Sequence, residues 1–288
     1  MKALRVENLY KKYPTFTLER VSFSVEEGHI VGLIGRNGAG KTTALKAVMR
    51  LIAAEGKTEV FGRDFAECEA AVKSEIGFVS GGFDFYPYKK IGKIVRTVAS
   101  FYPTWDEKIC REYLARFDID ENKKPSELSA GMKVKLSVAL ALSHGARLFV
   151  MDEPTSGLDP VSREEFNDLT LALSRERGAS VLFSTHITSD LMRVADDAVY
   201  ISDGRILKDA PLKVLLGEYE KVTFPSEGAA KDCGAEVIGL KSVRDGAEGL
   251  IARGAKASGA LRREDADLDA VMIHLEAQKQ GGRHAETH

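Results

Sequence analysis

Cysteine is scarce in this sequence, and its charges nearly cancel. Among 288 residues there are three cysteines, Cys68, Cys110 and Cys233, which lie far apart with no CxxC pair. This spacing excludes a disulfide framework and a thiolate zinc site, and it is typical of a reducing compartment. The 41 basic and 43 acidic residues give a net charge of −2. Because this balance provides no attraction of the whole molecule to DNA, RNA or an anionic bilayer, we expect no nucleic-acid partner.

Long apolar runs are also missing. The longest, Val138–Leu142 and Leu148–Met151, fall far short of the ~20 residues that a membrane-spanning helix needs. The first eight residues lack the apolar segment of a signal peptide. With 44% hydrophobic and 29% charged residues the composition is that of a globular protein, and the length predicts about two domains. We therefore expect a cytoplasmic protein without a membrane span of its own.

Short β-branched runs alternate with stretches of helical periodicity, which predicts an α/β domain with a mainly parallel sheet. The predicted strands are Val21–Val25, Ile30–Ile34, Thr58–Phe61, Ile76–Val79, Leu148–Met151, Ser180–Ser184 and Ala198–Ser202. The predicted helices are Thr42–Ile52, Ile91–Ser100, Asp106–Arg116, Ser129–Ser143, Ser162–Glu176 and Ser189–Ala195. Asp203-Gly204 separates two apolar runs and predicts a two-residue hairpin turn.

The composition changes after Gly217, and Glu227–Ala260 is rich in glycine and alanine. Asp265–Lys279 follows with apolar residues at helical spacing and acids in its first turn, which predicts a helix. We therefore predict a main domain over residues 1–217 and a small α+β accessory region over residues 218–288. Because about 70 residues are marginal for an independent fold, this region is expected to pack on the main domain or on a second subunit.

A glycine-rich segment follows the predicted strand Ile30–Ile34 and matches the pattern GxxxxGK[ST]. Glycine lets the backbone curl around a phosphate so that consecutive N–H groups point at the anion, and the next helix adds the positive end of its dipole. Lys41 is predicted to reach the β- and γ-phosphates, and the Thr42 hydroxyl to bind Mg²⁺. A glycine-rich turn without a ligand is the alternative, which the strand–loop–helix context disfavours. The predicted nucleotide-binding residues are Gly35, Asn37, Gly38, Ala39, Gly40, Lys41, Thr42 and Thr43.

Two acidic residues, Asp152 and Glu153, end the unbroken apolar run Leu148–Met151. A run of this kind is typical of a buried parallel strand, and in such sheets ligands bind beyond the carboxyl ends of the strands. Asp152 is therefore predicted to hold Mg²⁺, directly or through a water, and Glu153 to polarise an attacking water. Two surface acids at a strand end are the alternative, which the phosphate-binding motif disfavours.

The sequence contains three further motifs besides these two: Leu128-Ser129-Ala130-Gly131-Met132, Pro154-Thr155-Ser156-Gly157-Leu158-Asp159 and Ser184-Thr185-His186. Together the five motifs closely resemble the ATP-binding cassette (ABC) ATPases over residues 2–217, about three quarters of the chain. The resemblance implies a P-loop NTPase of the α/β class with a mainly parallel central sheet and an N-terminal antiparallel β subdomain. It also implies a helical signature subdomain at about residues 82–145.

The resemblance implies a dimer in which the LSxG segment of one subunit caps the γ-phosphate held by the other. Here that role falls on Ser129 and Gly131, so that two ATP molecules are sandwiched. His186 is expected to contact the γ-phosphate, and Asp159 to lie in the loop that crosses the interface. Tyr13 occupies the place of the aromatic residue that stacks on adenine; an aromatic that anchors a hairpin is the alternative. Bound ATP supplies charge-assisted contacts across the joint, and hydrolysis removes them.

The chain departs from the family pattern after the predicted strand Ile76–Val79. Where the family has a glutamine that touches Mg²⁺ and the attacking water, this sequence has Gly81, which has no side chain to bind either. Ser80 and Asp84 are candidate substitutes, and slow turnover is a hypothesis. Aromatic residues cluster in Phe83–Tyr88 and in 101–106, where the family binds a membrane partner; the core of the helical subdomain is the alternative.

We therefore expect an ATP-hydrolysing subunit of a bacterial exporter-type ABC transporter, with Glu153, His186 and Lys41 as catalytic residues. It is expected to use ATP and Mg²⁺, to form a homodimer, and to bind a separate membrane permease at the inner face of the cell membrane. Two alternatives stay open: a soluble ABC ATPase that is not a transporter subunit, and a slowly hydrolysing regulatory module. Glu153 and His186 argue against the second alternative.

Overall fold

A computed structural model describes residues 1–80 and 86–285, with side chains described up to residue 279. The chain forms two compact units, Met1–Asp209 and Ala210–His288. Gly81, Asp84 and part of the first aromatic segment lie outside the described residues. The predicted boundary after residue 217 and the limits of the helical subdomain stay predictions.

The first unit begins with an antiparallel sheet of strand order β2-β1-β4-β5. Its strands are β1 (Lys2–Lys12), β2 (Thr17–Glu26), β4 (Glu55–Val60) and β5 (Arg63–Asp64). One face of β1 contributes Leu4, Val6 and Leu9 to the core, while charged residues between them stay at the surface. This alternation is typical of a sheet with one buried face, and the sheet is the N-terminal antiparallel subdomain implied by the resemblance.

The central sheet has the strand order β10-β9-β3-β8-β7-β6. Its strands are β3 (Ile30–Ile34), β6 (Ile76–Ser80), β7 (Leu148–Asp152), β8 (Ser180–Thr185), β9 (Asp197–Ser202) and β10 (Arg205–Pro211). The strands from β9 to β6 pair in parallel, and every residue of β3, β7 and β8 is buried. Continuous apolar strands of this kind are expected where both faces of a sheet are covered. The mainly parallel sheet is thus confirmed.

The predicted two-residue turn between β9 and β10 is also confirmed. Asp203 and Gly204 both have positive φ, 46° and 75°. Two residues with positive φ form the turn type that matches the twist of a hairpin. Gly204 lies so close to the carbonyl oxygen of Thr17 that a Cβ atom would be 1.9 Å from it, so only glycine fits there.

Helices of the first unit are α1 (Lys41–Val48), α2 (Glu69–Ser74), α3 (Ile91–Ala99), α4 (Glu107–Arg116), α5 (Ala130–Ser143), α6 (Pro160–Arg175) and α7 (Thr188–Val194). The side chains of Asp106, Ser129 and Asp159 accept backbone hydrogen bonds at the starts of α4, α5 and α6. Such capping fixes where a helix begins, and the predicted starts of α4 and α5 fall on the capping residues. Helix α6 begins two residues before its predicted start at Ser162, because Asp159 caps it and Pro160 suits its first position. Helix α1 ends earlier than predicted, before Arg50 turns to a φ of 53°.

The second unit contains the sheet β12-β13-β11-β14. Its elements are α8 (Leu212–Gly217), β11 (Tyr219–Phe224), α9 (Glu227–Lys231), β12 (Ile238–Val243), β13 (Gly246–Ala252), β14 (Arg262–Asp265) and α10 (Leu268–Ala285). Val222, Phe224 and Ile251 form a small core with Ala230 and Cys233. The α+β character expected of this region is confirmed, although Asp265 ends a strand instead of beginning the helix.

Candidate nucleotide-binding site

The phosphate-binding motif forms the loop between β3 and α1. Gly38 and Gly40 adopt φ values of 82° and 108°, a backbone conformation that side chains disfavour. At Gly35 a Cβ atom would lie 2.3 Å from the carbonyl oxygen of Ile201, so the close approach of β9 requires glycine. The glycines of the motif therefore allow the loop to adopt this conformation at the carboxyl edge of the parallel sheet.

A cavity of about 400 Å³ opens beside this loop. Eight predicted site residues line it: Asn37, Gly38, Gly40, Lys41, Thr42, Thr43, Glu153 and His186. They come together because β3, β8 and β7 are neighbours in the sheet and run parallel, so that their carboxyl ends meet at one edge. Phe16 and Ser156 also line the cavity, and neither was predicted from the sequence.

Lys41 is buried at the bottom of the loop, with 5% of its side chain exposed. Its Nζ donates hydrogen bonds to the carbonyl oxygens of Gly35 (2.7 Å) and Arg36 (3.2 Å). The same ammonium lies 3.1 Å from Oε1 of Glu153. A buried cation with two carbonyl acceptors and a carboxylate beside it is held in one place, and its charge faces the cavity region where an anion would bind.

Asp152 links the loop to two strands. Its Oδ1 accepts hydrogen bonds from the hydroxyls of Thr42 (3.0 Å) and Ser184 (2.8 Å). Asp152 is buried and ends β7, whereas Thr42 belongs to the first turn of α1. A hydroxyl and a carboxylate side by side are oxygen ligands of the kind that Mg²⁺ prefers, together with phosphate and water.

Glu153 has a φ of 48°, which is uncommon for a residue other than glycine. Its N–H donates a hydrogen bond to Oγ of Ser184 (2.9 Å), and its Oε2 lies 2.7 Å from Nδ1 of His186. The carboxylate thus lies between Lys41 and His186, with contacts to both at hydrogen-bond distance. A left-handed backbone conformation points a side chain in a direction that the end of a regular strand does not allow. Here the Glu153 carboxylate lines the cavity.

The predicted site residues Ser129, Gly131 and Asp159 lie away from this cavity. Ser129 caps α5, where its hydroxyl accepts a hydrogen bond from the N–H of Met132 (3.2 Å). Gly131 packs near Ser162, since a Cβ atom would lie 3.4 Å from its Oγ. Ser162 in turn donates a hydrogen bond to Oδ2 of Asp159 (2.6 Å). These contacts place the starts of α5 and α6 side by side, and the structure does not bring them to the phosphate loop of the same chain.

Asp159 is an exposed carboxylate whose pKa is lowered. The hydroxyl of Ser162 is the main cause, and the N–H groups of Ser162 and Val161 add to it. Three donors favour the charged form of the carboxylate. Asp159 is therefore ionised over the physiological range, and it begins α6 where negative charge is favoured by the helix dipole.

The two aromatic residues at the β1–β2 turn differ in their relation to the cavity. Phe16 lines it, and the ring edge of Phe16 would be 2.6 Å from a Cβ atom at Gly40. Tyr13 does not appear in the cavity wall; its ring centre lies 6.5 Å from that of Phe16 and 5.6 Å from Nζ of Lys11. The assignment of Tyr13 to adenine stays a prediction, and Phe16 is the aromatic candidate that the structure adds. Gly35 and Ala39 shape the loop without lining the cavity.

An apolar groove of about 450 Å³ lies on the helical part of the first unit. Phe101 and Tyr86 line it and are 76% and 62% exposed, and nearby Tyr88 is 80% exposed. For these three residues the core interpretation of the aromatic cluster is wrong. Exposed aromatic side chains around a groove are typical of an interaction surface. Tyr102, at the base of the groove, stacks on buried His144 with ring centres 4.0 Å apart.

Comparison with known proteins agrees with this geometry. The sequence profile of the ABC transporter family matches residues 18–156. The chain is 34% identical to the ABC transporter ATP-binding protein YtrB of Bacillus subtilis (strain 168) over 71% of this chain and 70% of that protein. It is 29% identical to the bacitracin transport ATP-binding protein BcrA of Enterococcus faecalis, over 76% of this chain and 73% of that protein.

Solved structures share the fold. A structure described as the ATP-binding subunit of an ABC transporter superposes with a TM-score of 0.66 at 27% identity, over 74% of this chain and 91% of that one. A dimeric post-hydrolysis state of an ATP-binding cassette, bound to ADP and Pi, gives a TM-score of 0.64 at 24% identity, over 73% and 98%. The latter likeness concerns the fold alone.

The chain belongs to the ABC transporter ATP-binding proteins. It is an ATP-binding and ATP-hydrolysing subunit of an ABC transporter. Within residues 1–80 and 86–285, none of the helices combines the length and apolar character needed to cross a membrane.

Proposed function

We propose that this chain hydrolyses ATP with Mg²⁺ as one half of a face-to-face dimer, and that the dimer drives a separate membrane permease. The observation that carries the proposal is the position of Glu153 between Lys41 and His186 on the cavity wall, at 3.1 Å and 2.7 Å. Around one cavity, a carboxylate can position and deprotonate water, and a buried cation and an imidazole can stabilise charge on a phosphoryl group.

Nucleotide binding follows from the loop and from Lys41. The N–H groups of the loop and the start of α1 bind the phosphates, and Lys41 exchanges its contact with Glu153 for phosphate oxygens. Phe16 is the candidate for contact with the base, since base–aromatic stacking needs only an exposed ring face. Gly35, Asn37, Gly38, Ala39, Gly40 and Thr43 complete the proposed phosphate site.

The residues around Asp152 fit a magnesium ion. Thr42 and Asp152 would hold it, because both present oxygen atoms within 3.0 Å of each other at the phosphate loop. When bound, Mg²⁺ neutralises charge on the phosphate oxygens. Among the parts of the chain that the structure describes, no group of three or more His, Cys, Asp and Glu residues could hold a metal alone, so the remaining ligands must come from nucleotide and water.

Glu153 and His186 have different proposed roles in hydrolysis. Glu153 accepts the proton of the attacking water, and its position is fixed by the hydrogen bond from His186 and by the left-handed backbone. When both ring nitrogens carry a proton, His186, with 38% of its side chain exposed, can also donate to the γ-phosphate from the nitrogen that Glu153 does not contact. Lys41 stabilises the charge that develops on the phosphoryl group.

The dimer is needed because Ser129, Gly131 and Asp159 do not line the cavity. They lie together at the starts of α5 and α6, where the positive end of each helix dipole favours an anion. A second copy that faces this one would bring these termini to the phosphates. In this arrangement each nucleotide is bound by the loop of one copy and by Ser129 of the other, and a homodimer satisfies both sites by symmetry.

The apolar groove is the proposed site for the permease. Its aromatic rim around Phe101 and Tyr86 provides apolar contact, while Lys89 and Lys93 line the same groove. Within residues 1–80 and 86–285, neither lysine has an ion pair. We therefore assign the groove to a short cytoplasmic helix of the permease that combines apolar residues with an acidic residue. This contact would hold the chain at the inner face of the cell membrane.

Export of a drug, peptide or lipid is the proposed direction of transport. Support comes from the similarity to two proteins named for bacitracin transport, from Enterococcus faecalis and Bacillus licheniformis. A methionine import protein of Bacillus cereus is 30% identical over 79% of this chain, so the direction depends on the permease.

The test of the proposed function is the variant Glu153→Gln. It should retain ATP binding, lose hydrolysis by at least about 10²-fold because the proton acceptor is gone, and form a dimer that requires ATP. Size-exclusion chromatography with saturating ATP and Mg²⁺ measures the dimer. Adding Ser129→Asp to the same variant should abolish it through repulsion of the partner's phosphates. A monomer at saturating ATP in Glu153→Gln alone would contradict the homodimer.

A further inference from the structure

A buried carboxylate joins three segments next to the active site. Asp190 on α7 is 1% exposed. Its Oδ2 accepts a hydrogen bond from the hydroxyl of Thr155 (2.7 Å), and its Oδ1 lies 3.8 Å from Nε of Arg163 on α6. A buried charge is expensive unless it is paired and hydrogen-bonded. The two contacts therefore fasten the loop after β7, the start of α6 and α7 to one another.

The three segments carry the proposed catalytic groups. Thr155 follows Glu153 by two residues and precedes Asp159 by four, while Asp190 follows His186 by four. Between Glu153 and Asp159 the loop is closed by two backbone turns, from Ser156 N–H to the Glu153 carbonyl (3.1 Å) and from Leu158 N–H to the Thr155 carbonyl (3.2 Å). Because the loop is short and closed, a displacement of Thr155 would also displace the backbone of Glu153.

Glu153 needs such support because of its backbone. A φ of 48° is unfavourable for a residue other than glycine, and it persists only where neighbouring contacts hold it. Ser184 holds the N–H of Glu153 from one side. The hydroxyl of Thr155 anchors the chain two residues later, and both threonine and aspartate are almost fully buried.

We propose that Asp190 is a positioning residue for ATP hydrolysis. It does not line the nucleotide cavity. Through Thr155 it keeps the loop after β7, and hence the Glu153 carboxylate, in register with His186, and through Arg163 it keeps the start of α6 with Asp159 against α7. This proposal rests on the ATP hydrolysis proposed above. Neither Thr155 nor Asp190 lines the nucleotide cavity.

The contact can be compared with a similar one that lies away from the site. Ser174, near the end of α6, is 4% exposed, and its hydroxyl donates a hydrogen bond to the carbonyl oxygen of Gly28 (2.7 Å). Thr155→Val removes the donor to a buried carboxylate, and Ser174→Ala removes the donor to a backbone carbonyl, so both should lower stability and the first should lower it more. Ser174→Ala is therefore a control for the loss of a buried hydroxyl away from the site.

The experiment measures kcat, KM for ATP and Tm of the full chain for Thr155→Val, Thr155→Ser and Ser174→Ala. Thr155→Val should lower kcat about tenfold or more with KM changed less than about twofold, since a misplacement of ~1 Å costs up to about 10²-fold. Thr155→Ser keeps the hydroxyl and should restore kcat to within about threefold of the original. Ser174→Ala should lower Tm, by less than Thr155→Val, and leave kcat unchanged.

A double variant tests Asp190 directly. Asp190→Leu, which removes the acceptor, is measured alone and together with Thr155→Val. If the two residues act as one unit, the double variant should lose no more kcat than the worse single variant. The proposal would be overturned if the losses of kcat in the two single variants multiplied in the double variant. A normal kcat in Thr155→Val, or an equal loss of kcat in Ser174→Ala, would also overturn it. An original chain that does not hydrolyse ATP would instead contradict the proposed function, so the two failures are distinguishable.

Discussion

Oε1 of Glu153 lies 3.1 Å from Nζ of Lys41 on the wall of the nucleotide cavity. The carboxylate that is proposed to activate water therefore pairs with the cation that is proposed to bind phosphate. ATP must take Lys41 away from Glu153, and its γ-phosphate must approach a negative charge. Both effects oppose nucleotide binding, and both depend on the charge of one side chain.

Glu153→Gln should consequently bind ATP more tightly than the original chain. Removing a like charge and a competitor for Lys41 is expected to lower the Kd about three- to tenfold. Equilibrium titration with a fluorescent ATP analogue measures it, below the concentration at which the chain dimerises. Glu69→Gln is the control, since Glu69 pairs with Lys73 at 2.6 Å outside the cavity; its Kd should not change. An unchanged or weaker affinity in Glu153→Gln would show that Lys41 is not restrained by Glu153.

Thr42→Val should impair the response to magnesium. The variant keeps the shape of threonine but removes the hydroxyl 3.0 Å from Asp152. We expect the Mg²⁺ concentration for half-maximal ATPase activity to rise about tenfold or more, with Thr42→Ser close to the original value. The measurement is ATPase rate against free Mg²⁺. If Thr42→Val and Thr42→Ser give the same curve as the original chain, Thr42 does not contact the metal.

Phe16 and Tyr13 can be separated by substitution. Phe16→Leu should raise the Kd for ATP about fivefold or more, because stacking of a base on an aromatic ring contributes ~1–3 kcal/mol. Tyr13→Leu should have a smaller effect, since Tyr13 is absent from the cavity wall. Parallel titrations with ATP and with inorganic triphosphate locate the loss at the base, because triphosphate binding should not change. The reverse order of effects would support Tyr13 as the stacking residue.

Phe101→Ala should separate nucleotide binding from permease binding. The side chain is 76% exposed in the apolar groove, so its loss should leave Tm and the Kd for ATP unchanged. Association with membrane vesicles that contain its permease should fall about tenfold, as is typical for an aromatic residue that anchors an interface. Met192→Ala removes an exposed apolar side chain elsewhere on the same unit and serves as control. Loss of ATP binding in Phe101→Ala would instead indicate a structural role.

Much of the fold could be predicted from local patterns. The runs that became β3, β7 and β8 are apolar throughout because both sheet faces are covered, and the caps Asp106, Ser129 and Asp159 mark helix starts by their own hydrogen bonds. β1 escaped prediction because its eleven residues mix charged and apolar side chains with several register irregularities. Periodicity fails where a strand is bulged.

The phosphate loop and the two acidic residues, Asp152 and Glu153, could also be predicted, because each is a contiguous motif whose chemistry depends on neighbouring residues in the sequence. Phe16 was not predicted to line the cavity, because nothing in the sequence distinguishes it from Tyr13; its close approach to Gly40 places it on the cavity wall. The contact of Thr155 with Asp190 joins residues 35 positions apart, and only the packing of α7 against the loop after β7 brings them together. Such pairs depend on tertiary structure alone.

The most direct measurement is the ATPase rate per chain as a function of chain concentration, for the original protein, Ser129→Asn and Ser129→Asp. Both substitutions preserve a cap at α5, so Tm should be similar in all three. The account predicts a rate per chain that rises with concentration, and a rate at least about tenfold lower in Ser129→Asp because its charge faces the partner's triphosphate. A rate per chain that is independent of concentration and equal in Ser129→Asp and the original protein would contradict it.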